Sequence, residues 1–239
     1  MNALRSAFAY FTILPVGAGE APDARALAWL PVVGAVVGAL AGGAALGVAR
    51  IAPHPLAVAT AFGLTIVLTG ALHVDGFLDG CDAFFASVDP ARRLEILRDP
   101  HHGTFALAGG AVVGAFWLAA LWSLPAIVLP LGLACAAASA RLGAVAHALF
   151  VRYGRPAEPT RAFAEPPSLA PLVLGALVVV ALAAALGAAR GTAVVVASLA
   201  VAAIAAAFAR ARLGGGLTGD AYGFAIVLAE VAGLSALAI

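Results

Sequence analysis

A helix that crosses the roughly 30 Å hydrocarbon core of a bilayer needs about twenty consecutive, mostly apolar residues, and this chain supplies such stretches repeatedly. They fall near residues 29–50, 55–73, 104–122, 125–148, 169–189, 191–210 and 221–238. In lipid, the backbone polar groups of such a run can be satisfied only within a helix or a closed barrel. The runs do not alternate polar and apolar residues as barrel strands do. The pattern therefore predicts an all-α fold, a polytopic integral membrane helical bundle with about seven transmembrane helices. Composition closes the soluble alternative, because 64% of the chain is hydrophobic and only 10% charged, against about 25% charged in soluble domains. The 27 glycines let membrane helices approach closely. Residues 1–239 read as a single membrane-embedded domain.

Seven spans divide the charges unevenly. All thirteen basic residues are arginine. Ten of them (Arg5, Arg25, Arg92, Arg93, Arg98, Arg152, Arg155, Arg161, Arg210 and Arg212) fall on one face. Arg50 and Arg190 fall on the other, and Arg141 lies inside the fourth span. By the positive-inside rule the arginine-rich face is cytoplasmic, and the protein belongs in the cytoplasmic or inner membrane. Eleven of the twelve acids share that face, with Glu230 alone inside a span. Acids contribute little to orientation, so their clustering needs another cause. No cationic stripe is free of neighbouring acids, which argues against a nucleic-acid partner. Cys81 and Cys135 form no CxxC and are expected as free thiols. Residues 1–16 carry only Arg5 and no clear cleavage site, so an amphipathic or re-entrant entry segment is expected rather than a removable signal peptide.

The acids concentrate between the second and third spans, in His73-Val-Asp75-Gly-Phe-Leu-Asp79-Gly-Cys-Asp82. On a helix, Asp75, Asp79 and Asp82 have i, i+4, i+7 spacing and share one face. Three carboxylates on one face at a membrane edge repel one another unless a cation sits between them. Oxygen ligands select a hard ion, and Mg²⁺ characteristically joins one or two carboxylates to substrate phosphates. A solvated acidic loop is the competing reading, against which the location at the membrane edge counts. A zinc site with His73 and Cys81 lacks a further ligand at usable spacing.

Two other segments share this face. In Arg92-Arg93-Leu-Glu95-Ile-Leu-Arg98-Asp99-Pro-His101-His102-Gly103-Thr104, surface salt bridges are a reasonable account of Arg92 or Arg93. Functionally, Arg98 suits a phosphate clamp, Asp99 a ligand or base, and His101 and His102 phosphate contact or proton transfer. The last loop, Leu213-Gly-Gly-Gly-Leu-Thr218-Gly-Asp220, offers backbone N–H groups to an anion at a helix start. Asp220 could equally be an N-cap, and Glu230 has no obvious partner.

Together these segments resemble the cobalamin synthase family (adenosylcobinamide-GDP ribazoletransferase, or cobalamin 5′-phosphate synthase). The similarity runs from Phe11-Thr-Ile-Leu-Pro15-Val through the Asp75–Asp82 cluster and Arg93-Leu-Glu95-Ile-Leu-Arg98-Asp99 to Gly103-Thr104, and closes on Gly215-Gly-Leu-Thr218-Gly-Asp220. The family usually carries Ser-Arg where this chain has Pro100-His101, commonly Thr at Gly80 and Gly at Ala83, and often Arg at Ile13. The Asp frame is intact. The resemblance implies a Mg²⁺-dependent membrane transferase that joins adenosylcobinamide-GDP to α-ribazole or its 5′-phosphate and releases GMP. On that basis Asp75, Asp79 and Asp82 are the metal candidates, and Asp82, Glu95 and Asp99 the catalytic ones. His73, Arg98, His101, His102, Thr218 and Asp220 are the substrate-binding candidates. The lipid bilayer is the other expected partner, and a homo-oligomer is compatible with the sequence.

Three alternatives compete. CDP-alcohol phosphotransferases use a related aspartate frame, but their Asp-Gly-x-x-Ala-Arg opening is replaced by Leu78-Asp79 here. Intramembrane prenyltransferases carry two Asp-rich motifs, and this chain has one good cluster. An ion-coupled transporter would place its acids near mid-membrane, where only Glu230 lies.

Overall fold

The computed structural model describes residues 3–17, 24–154 and 166–239. Glu20, Asp23, Arg155, Glu158, Arg161 and Glu165, which the topology places on the charged face, lie outside them. The helices are α1 (Ala3–Phe11), α2 (Ala24–Leu27), α3 (Leu30–Val48), α4 (His54–Leu68), α5 (Leu72–Phe85), α6 (Pro90–Ile96), α7 (Thr104–Trp122), α8 (Leu129–His147), α9 (Leu169–Leu186), α10 (Ala188–Arg212) and α11 (Gly219–Leu237). Six of these, α3 and α7 to α11, are long and apolar enough to cross a membrane. Leu107, Phe116, Leu177 and Ile204 are each 60–71% exposed, an apolar outer surface that only lipid would tolerate. The chain is a multi-pass membrane protein.

The expected second span over 55–73 takes a different form. α4 has fifteen residues, about 22 Å of helix, which falls short of a full crossing. It breaks at Gly70 and Ala71, both left-handed at φ 58° and 59°, and α5 leaves at 85° to α4. A hydropathy reading misses the break because Leu68 to Leu72 stays apolar or small throughout. Consequently the aspartates lie on a helix turned across the ends of its neighbours. The other face of α5 buries His73, Phe77, Gly80, Cys81 and Phe84. Phe77 and Phe84 pack on Phe224 of α11 with ring centroids 5.5 and 5.2 Å apart.

α8 and α11 form the centre, with most of their residues buried. α3 lies antiparallel to α8 along Gly34, Gly38 and Gly42, which press on the backbone at Ala137, Leu133 and Leu129. One four-residue spacing of glycines thus brings two helix backbones together. Across the centre, Arg141 of α8 and Glu230 of α11 form an ion pair at 2.8 Å with both side chains almost fully buried. Glu230, which has no evident partner in the sequence, is therefore paired, and the intraspan arginine is its counter-ion.

Helix directions sort the connections as the charge count expects. At one end His54 Nε2 lies 3.2 Å from the carbonyl of Trp122, and Arg190 shares a small cleft with Pro125 and Ile239. The opposite end gathers α5, α6, the turn before α7, and the loop between α10 and α11.

Candidate functional site

α5 and α11 cross at two glycines. A Cβ on Gly76 would lie 3.1 Å from the Cα of Asp220, and one on Gly223 would lie 3.1 Å from the Cα of Gly76. This contact brings Asp75 and Asp79 beside Asp220 from a segment more than 140 residues away. Thr218 is the N-cap of α11, its hydroxyl accepting from the N–H of Ala221. Asp220 therefore sits inside the first turn rather than at the cap, and Thr218 Oγ1 donates to its Oδ2 at 3.3 Å.

The third component is His102. Its Nδ1 lies 3.5 Å from Oδ1 of Asp79 and its Nε2 3.9 Å from Oδ1 of Asp75. One ligand atom from each of these three residues falls within 4.8 Å of the others. Asp79 is the inner member, with its side chain 16% exposed against 62% for Asp75. Asp75, Asp220 and Asp82 all act on Asp79 with like charge, opposed by His102. Two hard carboxylates and an imidazole around a concentration of negative charge fit a divalent cation. The imidazole is an unusual inner ligand for Mg²⁺, which accommodates it most easily through a retained water.

Asp82 shares the face of Asp75 and Asp79 but has a different set of partners. Its two carboxylate oxygens accept from the backbone N–H groups of Gly103 and Ala106. It thereby caps α7 from another helix, where negative charge meets the helix dipole. The contact also fixes the turn that carries His102. The sequence motif places Asp82 in the right region, but its partners are visible only once α7 is placed.

The remaining candidates are distributed around this group. Glu95 pairs with Arg92 on the exposed side of α6 at 2.5 Å. Asp99 accepts from the ring and the backbone N–H of His101, at 2.8 and 3.0 Å. These hydrogen bonds, the ring contact first, hold the Asp99 carboxyl below the ordinary carboxylate range. His101, which stands where the family pattern has arginine, is 88% exposed and turned to Asp99. Arg98 is exposed beyond the C-terminal end of α6. Arg93 departs from a surface salt bridge, being buried and donating to the carbonyls of Arg212 and Ala86. It is the one buried residue of α6, tied to the last residue of α10, a placement that a charge pattern does not reveal.

The glycine-rich loop is tied down rather than open. The N–H of Gly215 goes to the carbonyl of Arg210, and that of Leu217 to Arg152. Tyr153 and Leu217 form a β-bridge, and Gly214 and Gly215 take positive φ, 75° and 115°. Two of the backbone donors that an anion could have used are therefore occupied.

Behind Asp75 and Asp220 opens a cleft of about 190 Å³. His73 lines it, 6% exposed. Cys81 and Cys135 are buried free thiols.

Over residues 3–238 the chain matches the protein family described as cobalamin-5-phosphate synthase. An adenosylcobinamide-GDP ribazoletransferase of Deinococcus radiodurans is 38% identical over 248 aligned positions, covering 96% of this chain and 83% of that protein. One from Stutzerimonas stutzeri is 35% identical, covering 100% of this chain and 98% of its own length. One from Bradyrhizobium diazoefficiens is 36% identical, with 77% and 73% covered. No solved structure matches the chain significantly.

Proposed function

The chain belongs to the cobalamin-5-phosphate synthase family, and from that premise we propose that it joins adenosylcobinamide-GDP to α-ribazole or its 5′-phosphate. The transfer takes place at the charged end of the bundle, on the cytoplasmic side of the membrane. The observation that carries this reading is the meeting of Asp75, Asp79 and His102 with Asp220 at one end of a lipid-facing bundle. A ribazole hydroxyl forms a bond to the corrinoid-side phosphorus of the pyrophosphate. The bond from that phosphorus to the bridging oxygen breaks, and GMP leaves with the oxygen.

Asp75 and Asp79, with His102, would hold Mg²⁺, which when bound neutralises charge on the pyrophosphate and on the departing phosphate. Asp220, across the α5–α11 crossing from Asp75, is positioned to take the hydroxyl proton. Asp82 positions His102 by anchoring the turn before α7. Arg98 supplies a guanidinium to the phosphates from the rim. Asp99 holds His101, and Glu95 holds Arg92, so both act on the edge of the site rather than at its centre.

The test is incubation of the purified full-length protein with adenosylcobinamide-GDP and α-ribazole, with and without Mg²⁺, following GMP and the coupled corrinoid. Both products are expected, and chelation should stop their formation. No GMP under any metal condition, or equal rates after chelation, overturns the transferase or the metal assignment respectively. Release of CMP from a CDP-alcohol, or of diphosphate from a prenyl donor, would move the chain to a neighbouring chemistry.

A further inference from the structure

The cleft behind the aspartates has a buried floor and an open mouth. Leu30, Val145 and Ile226 belong to the floor, each no more than 2% exposed. Among the other lining residues, Tyr10 and Asp75 are exposed and Tyr153 and Asp220 half-buried, so these four mark the mouth. Asp75 also belongs to the group with Asp79 and His102, so the mouth opens beside the metal-capable group. Tyr153 differs from the rest of the lining. It is the one lining residue that comes from a connection between helices, the segment that leaves α8.

That connection is held by its backbone. The N–H of Gly154 donates to the carbonyl of Leu217 at 2.8 Å, and the N–H of Leu217 donates to the carbonyl of Arg152 at 3.1 Å. Tyr153 is thus clamped between two hydrogen-bonded neighbours in a parallel bridge. Gly216 makes the approach possible, since a Cβ there would lie 2.5 Å from the Cα of Gly154 and 2.9 Å from its nitrogen. On the far side of the bridge, Leu217 is buried and leads directly into Thr218, the N-cap of α11, and then Asp220. Two backbone hydrogen bonds therefore set the position of Tyr153 and of the Asp220 turn together.

A side chain on a connection that a rigid element holds at a cleft is well placed to meet a ligand. A phenol offers both an apolar ring and a hydroxyl, which suits a mouth that is wet on one side and apolar below.

We propose that Tyr153 is a substrate-contacting residue at the mouth of the cleft, and that the Tyr153–Leu217 bridge keeps it in register with Asp220. The inference rests on the transferase reading above and adds to it a residue from the connection between α8 and α9. Gly216 touches no substrate and acts only through the backbone, as a positioning residue.

The experiment measures coupling of adenosylcobinamide-GDP to α-ribazole by the full-length protein in lipid nanodiscs, for wild type, Tyr153→Ala, Tyr153→Phe and Gly216→Ala. Tyr153→Ala is expected to raise the KM of one of the two substrates about tenfold, as loss of one contact does, with kcat little changed. Tyr153→Phe keeps the ring and should recover part of that loss. Gly216→Ala is expected to lower kcat at least about tenfold, because Asp220 moves with the loop. A Tyr153→Ala protein that keeps both KM values, or that repeats the kcat loss of Gly216→Ala, makes Tyr153 a prop for the loop and overturns the contact. Wild-type kinetics in Gly216→Ala overturn the role of the bridge. A second measurement needs no turnover. With Cys81 and Cys135 buried, Tyr153→Cys supplies a single accessible thiol, and adenosylcobinamide-GDP or α-ribazole should slow its reaction with a maleimide. Slowed labelling without any coupling in wild type keeps the contact and defeats the transfer. Wild-type coupling with labelling and both KM values indifferent does the reverse.

Discussion

At the scale of single residues, the aspartate frame is legible because helical spacing alone puts Asp75, Asp79 and Asp82 on one face, and they do lie on one helix. The partners of that frame are less legible. Asp82 turns to the N–H groups of Gly103 and Ala106, and nothing in its local sequence distinguishes it from its two neighbours. Its substitution should therefore behave differently from theirs. Asp82→Ala is expected to lose about 1 kcal/mol of stability, as removal of a helix cap does, together with activity. Asp79→Asn is expected to lose activity and metal dependence while the melting temperature stays the same or rises, because a repelled charge is removed. Thermal melts with activity assays on both variants check this, and equal melting temperatures for Asp82→Ala and wild type would count against the cap. The pair Arg141–Glu230 was hidden for a different reason. Each charge is visible in its span, but across a separation of 89 positions the sequence carries no signal of contact. Breaking a buried pair leaves an uncompensated charge and costs about 3–5 kcal/mol, whereas replacing both partners by apolar residues is often neutral. Glu230→Leu should thus be far less stable in a detergent melt than the double variant Arg141→Met, Glu230→Leu. If the double variant melts no higher than the single one, the pair contributes nothing beyond packing.

At the scale of elements, the helices follow from apolar run length, and six of the seven expected spans appear as continuous helices. The exception is instructive because the break at Gly70 and Ala71 lies in sequence with no polar signal, and the 85° turn depends on two left-handed residues. That turn is what lays α5 across α11, and the crossing itself depends on Gly76 and Gly223 having no side chains. A valine at Gly223 would set its Cβ against the backbone of α5 at 3.1 Å, closer than the neighbours accept without moving, and the two helices would have to separate. Gly223→Val is therefore expected to reduce coupling at least about tenfold, since a displacement of about 1 Å can cost a hundredfold in rate. Overall helicity by circular dichroism should be retained, as overpacking costs about 1–3 kcal/mol. Full activity in a folded Gly223→Val protein would mean that Asp220 does not work together with Asp75 and Asp79.

At the scale of the whole molecule, the gathering of the charged loops at one end was the most legible property, because arginine distribution and span parity were both readable without any contact being known. The structure places α5, α6, the His102 turn and the loop before α11 at one end, and Ile51, His54, Trp122 and Arg190 towards the other. Which end faces the cytoplasm rests on the positive-inside rule. Since Cys81 and Cys135 are both buried, a single added thiol reports on its own side. Ala91 is exposed on α6, and Ile51 is 89% exposed in the turn between α3 and α4. In spheroplasts treated with a membrane-impermeant maleimide, Ile51→Cys is expected to label at once. Ala91→Cys should label only after the membrane is opened, and inverted vesicles should exchange the two patterns. Labelling of Ala91→Cys in intact spheroplasts would turn the protein over. The aspartates would then face away from the cytoplasm, and a proposed donor supplied from that side could reach the site only after crossing the membrane. Orientation is therefore a condition of the chemistry, and the arginines that set it lie in the same loops as the carboxylates that would carry it out.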